Sequence, residues 1–162
     1  MTFLTVVALL FSYAYFAHLI SYFLEKTRIL KSRDWDLNIC CGKTDGGGVN
    51  ADIIQHKDLP RFKLVQDIYN LPFHDKEFNT VLCSHTMEHV DDPEAFFAEL
   101  ARVGQEVTVV VPPLYDIFAL LNIFEHKFIF LTFKKTHHKL PPHIKLPLSE
   151  IVQKNLGQLN RA

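Results

Sequence analysis

The stretch NTVLCSHTMEHVDDPEAFFAELARVGQEVTVVVPP, residues 79–113, narrows the possible folds most. Two apolar runs, residues 79–84 and 106–113, flank a helical pattern. The β-branched Val107, Thr108, Val109, Val110 and Val111 suit a strand buried on both faces. Between the runs, Asp92 is placed to cap a helix, Pro93 to take its first position and Glu94 to meet its positive end. Phe96, Phe97, Leu100 and Val103 recur at helical spacing, and Gly104 is placed to end the helix. Strand, helix, strand is a parallel crossover, so an open α/β sheet is expected.

Three earlier apolar runs extend the sheet: residues 36–41 (DLNICC), 48–53 (GVNADI) and 62–68 (FKLVQDI). Only residues 43–47 separate the first two. A parallel crossover normally takes about a dozen residues, so the helix after the first strand is expected to be missing or reduced to a turn. The link over residues 55–61 is equally short. Beyond residue 115, YDIFALLNIF has a helical pattern, KFIFLTF a strand pattern, and KLPPHIKLP reads as a Pro-rich extended piece. Residues 134–162 hold Lys134, Lys135, Lys139, Lys145, Lys154 and Arg161 against Glu150 alone. They read as a basic tail, either a solvated end or a contact for a membrane surface or an acidic substrate.

At the other end, residues 2–24 (TFLTVVALLFSYAYFAHLISYFL) contain no Asp, Glu, Lys or Arg. As a helix this segment is about 34 Å long, enough to cross a hydrocarbon core. Three readings fit it: a membrane anchor, a helix docked in the domain, or a cleaved signal. A signal calls for a basic start and a shorter apolar core, and neither is present. The segment is therefore read as a membrane anchor over residues 1–25. Lys26, Arg28, Lys31 and Arg33 follow it in a basic flank, residues 26–35, and no charged side chain precedes it. That bias predicts a single pass with the domain facing the cytoplasm. The net charge of −1 gives no global signal for nucleic acid. Cys40, Cys41 and Cys83 are odd in number and two are adjacent, so reduced thiols are expected rather than a disulfide framework.

His85, Glu88 and His89 form the pattern H-x-x-E-H, the zinc spacing of inverted zinc proteases. That chemistry needs both His on one face of a stable helix and a third ligand from a later one. Here the pattern follows directly on a strand and precedes a Pro-started helix, so no metal is expected. His126, His137, His138 and His143 are interrupted by Pro141 and Pro142, and a metal cluster is not expected there either.

Residues 67–103, DIYNLPFHDKEFNTVLCSHTMEHVDDPEAFFAELARV, resemble the S-adenosylmethionine-dependent methyltransferases of the Rossmann-like class. The resemblance is to the compact subgroup in which an "LPF…D..F" loop precedes "EHV.D", and it extends over about residues 36–113. It implies a Rossmann-like, mostly parallel sheet with reduced early helices, preceded by the N-terminal hydrophobic helix. The methyltransferase-like domain would span residues 36–133. It further implies that LNICCGK is the glycine-rich turn, with Gly42 open to the cofactor, and that Asp52 binds the ribose hydroxyls. Asp67 would lie near the adenine amino group and Ile68 on the adenine face. Ser84 and His85 would form the floor of the crevice. Apart from the resemblance, His85 is the candidate base, because an unperturbed imidazole titrates near neutrality.

Three positions depart from the family: Asn38, usually acidic, and Cys40 and Thr44, usually Gly. Cys40 puts a side chain where backbone would approach the ligand. Cys40→Gly is therefore expected to ease binding, at about 0.5–1 kcal/mol for the added backbone freedom. The function implied is methyl transfer from S-adenosylmethionine to a small-molecule or lipid-like acceptor at a membrane. The alternative is a catalytically inactive methyltransferase-like scaffold.

Overall fold

The computed structural model describes residues 2–156. Its six-stranded sheet has the order β3-β2-β1-β4-β5-β7, with β1 (Trp35–Ile39), β2 (Gly47–Asp52), β3 (Phe62–Leu64), β4 (Phe78–Ser84) and β5 (Gly104–Val110) mutually parallel. The two halves diverge from the central β1 and β4, so the topology is Rossmann-like and mostly parallel, as expected. The order reverses between β1 and β4, which is where ligands lodge in open α/β sheets.

The crossover over residues 79–113 folds as its sequence implies. Helix α3 (Pro93–Val103) starts with Pro93, and the Asp92 side chain accepts from the Ala95 amide at 2.9 Å. Phe96, Leu100 and Val103 are fully buried against Val81, Cys83 and Val109 of the sheet. Gly104 is no left-handed cap: its φ is −113° and β5 begins with it. It is glycine because an added Cβ would come within 2.4 Å of Val81 Cγ2.

No helix links β1 to β2. The seven residues 40–46 return the chain alongside β1 as a strap. Extended, they span about 23 Å, more than the roughly 16 Å of a five-residue strand. The strap must lie flush on the strand. A Cβ at Gly46 would sit 2.5 Å from Asn38 Cβ, and one at Gly48 2.3 Å from the Trp35 carbonyl oxygen. Asn38 is buried beneath the strap and donates to the Thr44 carbonyl at 2.9 Å and to Asn50 Oδ1 at 3.2 Å. The Asn side chain supplies donors that an acid at this position would lack.

A single long helix, Phe3–Leu30, opens the chain. It comprises α1 (Phe3–Leu19), a π-helical turn (Ile20–Glu25) and α2 (Lys26–Leu30). The core-helix reading does not hold for its first half. Phe3 is 81% and Leu4 77% exposed, and Leu10 and Phe16 are exposed as well. From Phe11 onward the helix meets the domain: the Phe11 ring lies edge-on to Phe118 with centroids 5.5 Å apart, and Ala14 is buried. His18 Nδ1 lies 2.9 Å from the buried Asp116 carboxylate, Tyr115 donates to Glu25 at 2.6 Å, and Ile29 and Leu30 pack on Trp35, Leu82 and Val110. The basic flank is therefore helix for half its length, and β1 starts inside it at Trp35.

Residues 134–156 are not a free tail. β7 (Thr136–His137) pairs antiparallel with β5, completing the sheet, and Lys135 is buried with its ammonium donating to Ser21 Oγ at 2.7 Å. A backbone edge left open by β5 explains the recruitment. β6 (Phe128–Phe130), the KFIFLTF strand, pairs instead with β8 (His143–Lys145) in a separate two-stranded sheet. α4 (Ile117–Leu120) is one turn of the helix expected there, and α5 (Ser149–Leu156) closes the described chain; Arg161 lies outside it.

Candidate functional site

At the carboxyl end of β1 the chain turns through two left-handed residues, Cys40 (φ +52°) and Gly42 (φ +55°). An added Cβ at Gly42 would meet nothing within 4 Å, so glycine is required there by conformation and leaves open space beside the turn. β2 ends on Asp52, whose buried carboxylate accepts from the Gly42 amide at 2.8 Å and the Ile53 amide at 2.7 Å. β4 ends on Ser84, and His85 follows at φ +56°. Residues 85–90 form a turn with no helix, so His85 and His89 do not share a helical face. That is not the geometry of a zinc protease.

These strand ends open into one cavity of about 740 Å³. Gly42, Asp52, Ser84 and His85 all line it; Asp67 and Ile68 do not. β3 stops at Leu64, so Asp67 does not end a strand as expected. Asp67 is exposed and its carboxylate caps its own turn, accepting from the Tyr69 amide at 2.8 Å, while Ile68 packs on the core.

The cavity wall includes groups to which the sequence assigned no role at a cofactor site. His18, Tyr22 and Lys26 reach it from the N-terminal helix, and Glu88, His89 and His126 from the loops beyond the sheet. His18 was visible as a polar residue in an otherwise apolar segment, but nothing local ties it to residues about a hundred positions away. Glu88 and His89 stood out only in the H-x-x-E-H pattern, and His126 as one of several scattered His.

Ser84 Oγ, His85 Nε2 and Glu88 Oε2 are buried and have no hydrogen-bond partner among the described residues. Such groups cost about 1–3 kcal/mol each when left unpaired, so three on one cavity mark a place built for a polar ligand. Burial lowers the His85 pKa and keeps its imidazole neutral at pH 7, although Glu88, 3.2 Å away, works the other way. Burial pushes the Glu88 carboxyl up, but His85, His89 and His126 outweigh it and hold it down at about 2. Burial and the nearby Asp52 push the Cys41 thiol up to about 12, and Cys40 and Cys83 are raised as well. None of the three thiols is a nucleophile at neutral pH.

S-adenosylmethionine, the cofactor that the resemblance implies, fits this end of the sheet in two respects. The Gly42 turn leaves backbone accessible, and Asp52 offers a carboxylate with acceptor capacity beyond its two amides.

Residues 49–109 match the family described as "Methyltransferase domain", under two fifths of the chain and inside the segment that carries the resemblance. The match supports the methyltransferase class and, with it, S-adenosylmethionine as cofactor. No curated protein matches the chain. Among solved structures, the YcgJ protein of Bacillus subtilis is similar over 60% of this chain and 57% of its own, at 18% identity and a TM-score of 0.44. A Thermotoga maritima S-adenosylmethionine-dependent methyltransferase, described as a possible histamine N-methyltransferase, is similar over 68% and 59%, at 19% identity and 0.40. The protein solved with the Haloferax volcanii Trm112 methyltransferase activator is similar over 58% and 52%, at 16% and 0.43. The chain thus spans between half and three fifths of the length of these structures.

Proposed function

We propose that the chain is an S-adenosylmethionine-dependent methyltransferase, tethered to a membrane by its N-terminal helix with the domain on the cytoplasmic side. One observation carries the reading: Gly42, Asp52 and the unpartnered Ser84 hydroxyl converge on one cavity where the strand order reverses. The family match over residues 49–109 supports it.

S-adenosylmethionine, when bound, supplies an electrophilic methyl group. The chain's own contribution is mostly position. Gly42 presents backbone, Asp52 an acceptor for hydroxyls, and Ser84 a free hydroxyl. Buried and neutral, His85 has an unengaged Nε2 on the cavity and can take the proton of an acceptor whose nucleophile must lose one. His18, Tyr22 and Lys26 wall the same cavity from a helix that would emerge from the bilayer. That placement favours an acceptor that is small or lipid-like and partly membrane-borne.

Calorimetry of the full chain in detergent with S-adenosylmethionine tests the reading. Saturable binding weakened by Asp52→Asn supports it, and no binding by the native chain overturns it. A second reading, a non-catalytic scaffold, is favoured by Cys40, which holds a side chain at a left-handed turn position. Binding without methyl transfer to any acceptor in a membrane extract would select the scaffold.

A further inference from the structure

Beyond the strand ends, the loop after β4 meets the loop before β6. The amides of Lys127 and Phe128 both donate to the Glu88 carbonyl, at 2.6 and 3.3 Å. The His89 ring lies edge-on to His126 with centroids 4.9 Å apart. These ties hold Glu88, His89 and His126 so that one ligand atom from each lies within 4.8 Å of the others. All three residues face the cavity.

The protonation pattern suits a cation. His89 Nδ1 sits 2.9 Å from the Glu125 carbonyl oxygen, which can only accept. Nδ1 therefore carries a hydrogen, and Nε2 is the ring nitrogen left to ligate. A backbone carbonyl that orients a ring in this way is the usual outer partner of a metal-ligating His. Glu88 spends Oε1 on His85, while its Oε2 is buried with no partner. A buried, unpartnered carboxylate oxygen on a residue grouped with two imidazoles is a costly arrangement unless something positive sits among them.

We propose that Glu88, His89 and His126 form a binding site for a divalent first-row transition-metal ion. Two imidazoles and one carboxylate make a donor set for zinc, iron, manganese or cobalt rather than for calcium or magnesium, which prefer all-oxygen sites. Bonds of about 2.0–2.2 Å place neighbouring ligands roughly 3–3.5 Å apart, so from separations of up to 4.8 Å binding draws the groups together by at most about 1.3–1.8 Å. Three protein ligands leave coordination positions open, and here they open on the cavity beside Ser84 and His85. Those positions would take an acceptor that offers oxygen, a hydroxyl or a carboxylate; this second step rests on the methyltransferase reading, whereas the ion site does not.

The pattern H-x-x-E-H thus acquires a different meaning. Its Glu and second His act with a distant His126, and its first His braces the Glu.

The test is a titration of the full chain in detergent, without a histidine tag and freed of metal by chelation. Cobalt(II) is followed by its visible absorption and zinc by calorimetry, both without S-adenosylmethionine. One equivalent per chain is expected, with affinity falling at least tenfold in Glu88→Gln and in His126→Ala. Should Glu88→Gln fail to fold, His126→Ala decides, with native circular dichroism as the control. No saturable binding by the native chain, or unchanged affinity in the folded variants, overturns the site. Because cofactor is absent throughout, failure here leaves the cofactor reading standing, and failure of cofactor binding leaves the ion site standing.

Discussion

Asp52 accepts from the Gly42 amide at 2.8 Å, so the carboxylate that ends β2 also holds the turn that follows β1. One buried side chain thereby joins two neighbouring strand ends across the mouth of the cavity. Its other oxygen is engaged by the Ile53 amide at 2.7 Å. The same residue is thus structural support and candidate ligand.

Asp52→Asn should lower both stability and cofactor affinity. The amide keeps one acceptor oxygen and turns a donor toward a backbone N–H that then has no partner. Hydrogen bonds to charged groups contribute about 1.5–3 kcal/mol, so the urea midpoint should fall accordingly and affinity for S-adenosylmethionine by roughly ten- to a hundredfold. Unchanged affinity in a folded variant would remove Asp52 from the site.

Cys40 reverses an ordinary preference. At φ +52° a Cβ costs about 1–2 kcal/mol that glycine does not incur. Alanine normally exceeds glycine in stability by about 0.5–1 kcal/mol in regular structure. Here Cys40→Gly should be more stable than Cys40→Ala by roughly 1 kcal/mol, since both lose the thiol and only alanine keeps the strain. Chemical denaturation of the two variants measures the difference. The left-handed dihedral angle works against the cost expected for Cys40→Gly from backbone freedom.

The strand–helix–strand unit was legible because every signal in it is local. Asp92 caps, Pro93 starts and Phe96, Leu100 and Val103 bury along one face, all within a dozen residues. The missing helix after β1 was legible too, from chain length alone. What stayed hidden depends on contacts between distant segments. β7 is two residues long and joins the sheet only because β5 has a free edge. Lys135 reads as solvated charge until Ser21 is seen beside it. Asp67 follows an apolar run and looked like a strand end, but β3 is an edge strand that stops three residues earlier. His126 reaches Glu88 and His89 through backbone bonds between two loops, a relationship without periodicity.

Asn38→Asp would supply the acid that the resemblance leads one to expect here and should nonetheless destabilise the fold. Asn38 Nδ2 donates to the Thr44 carbonyl and to Asn50 Oδ1, and a carboxylate in its place would oppose two acceptors inside the protein. Leaving buried polar groups unpaired costs about 1–3 kcal/mol each, so a loss of roughly 2–4 kcal/mol is expected by urea denaturation. Wild-type stability in the variant would mean the strap can move off β1.

The thiols give an alkaline signature. Cys41 keeps its proton to about pH 12 in the folded chain, because of burial first and the Asp52 charge second. In the unfolded chain a thiol ionises near pH 8.5. Between those values the folded state binds the extra proton, so the contribution of Cys41 to stability falls as pH rises. Lys135, lowered to about 8 by burial, acts in the opposite sense up to its unfolded value near 10.4. The difference in stability between the native chain and Cys41→Ala isolates the thiol. It should shrink steadily from pH 8 to 11, and a flat difference would refute the shift.

The N-terminal helix makes the last prediction. Phe3–Leu30 is long and apolar enough to cross a membrane, and Leu10 and Phe16 on it are exposed. In a bilayer these side chains would meet lipid, and an Asp at mid-span costs about 2.5–3.5 kcal/mol on insertion scales. Leu10→Asp with Phe16→Asp should therefore move the chain from the carbonate-washed membrane pellet to the soluble fraction. The fold should survive, because neither residue packs in the domain, and the fluorescence of Trp35, the single tryptophan, should stay that of a buried indole. A helix that instead served the domain as core would respond in the opposite way, with unfolding at Trp35 and no change of compartment. Native protein released by the carbonate wash would overturn the anchor outright.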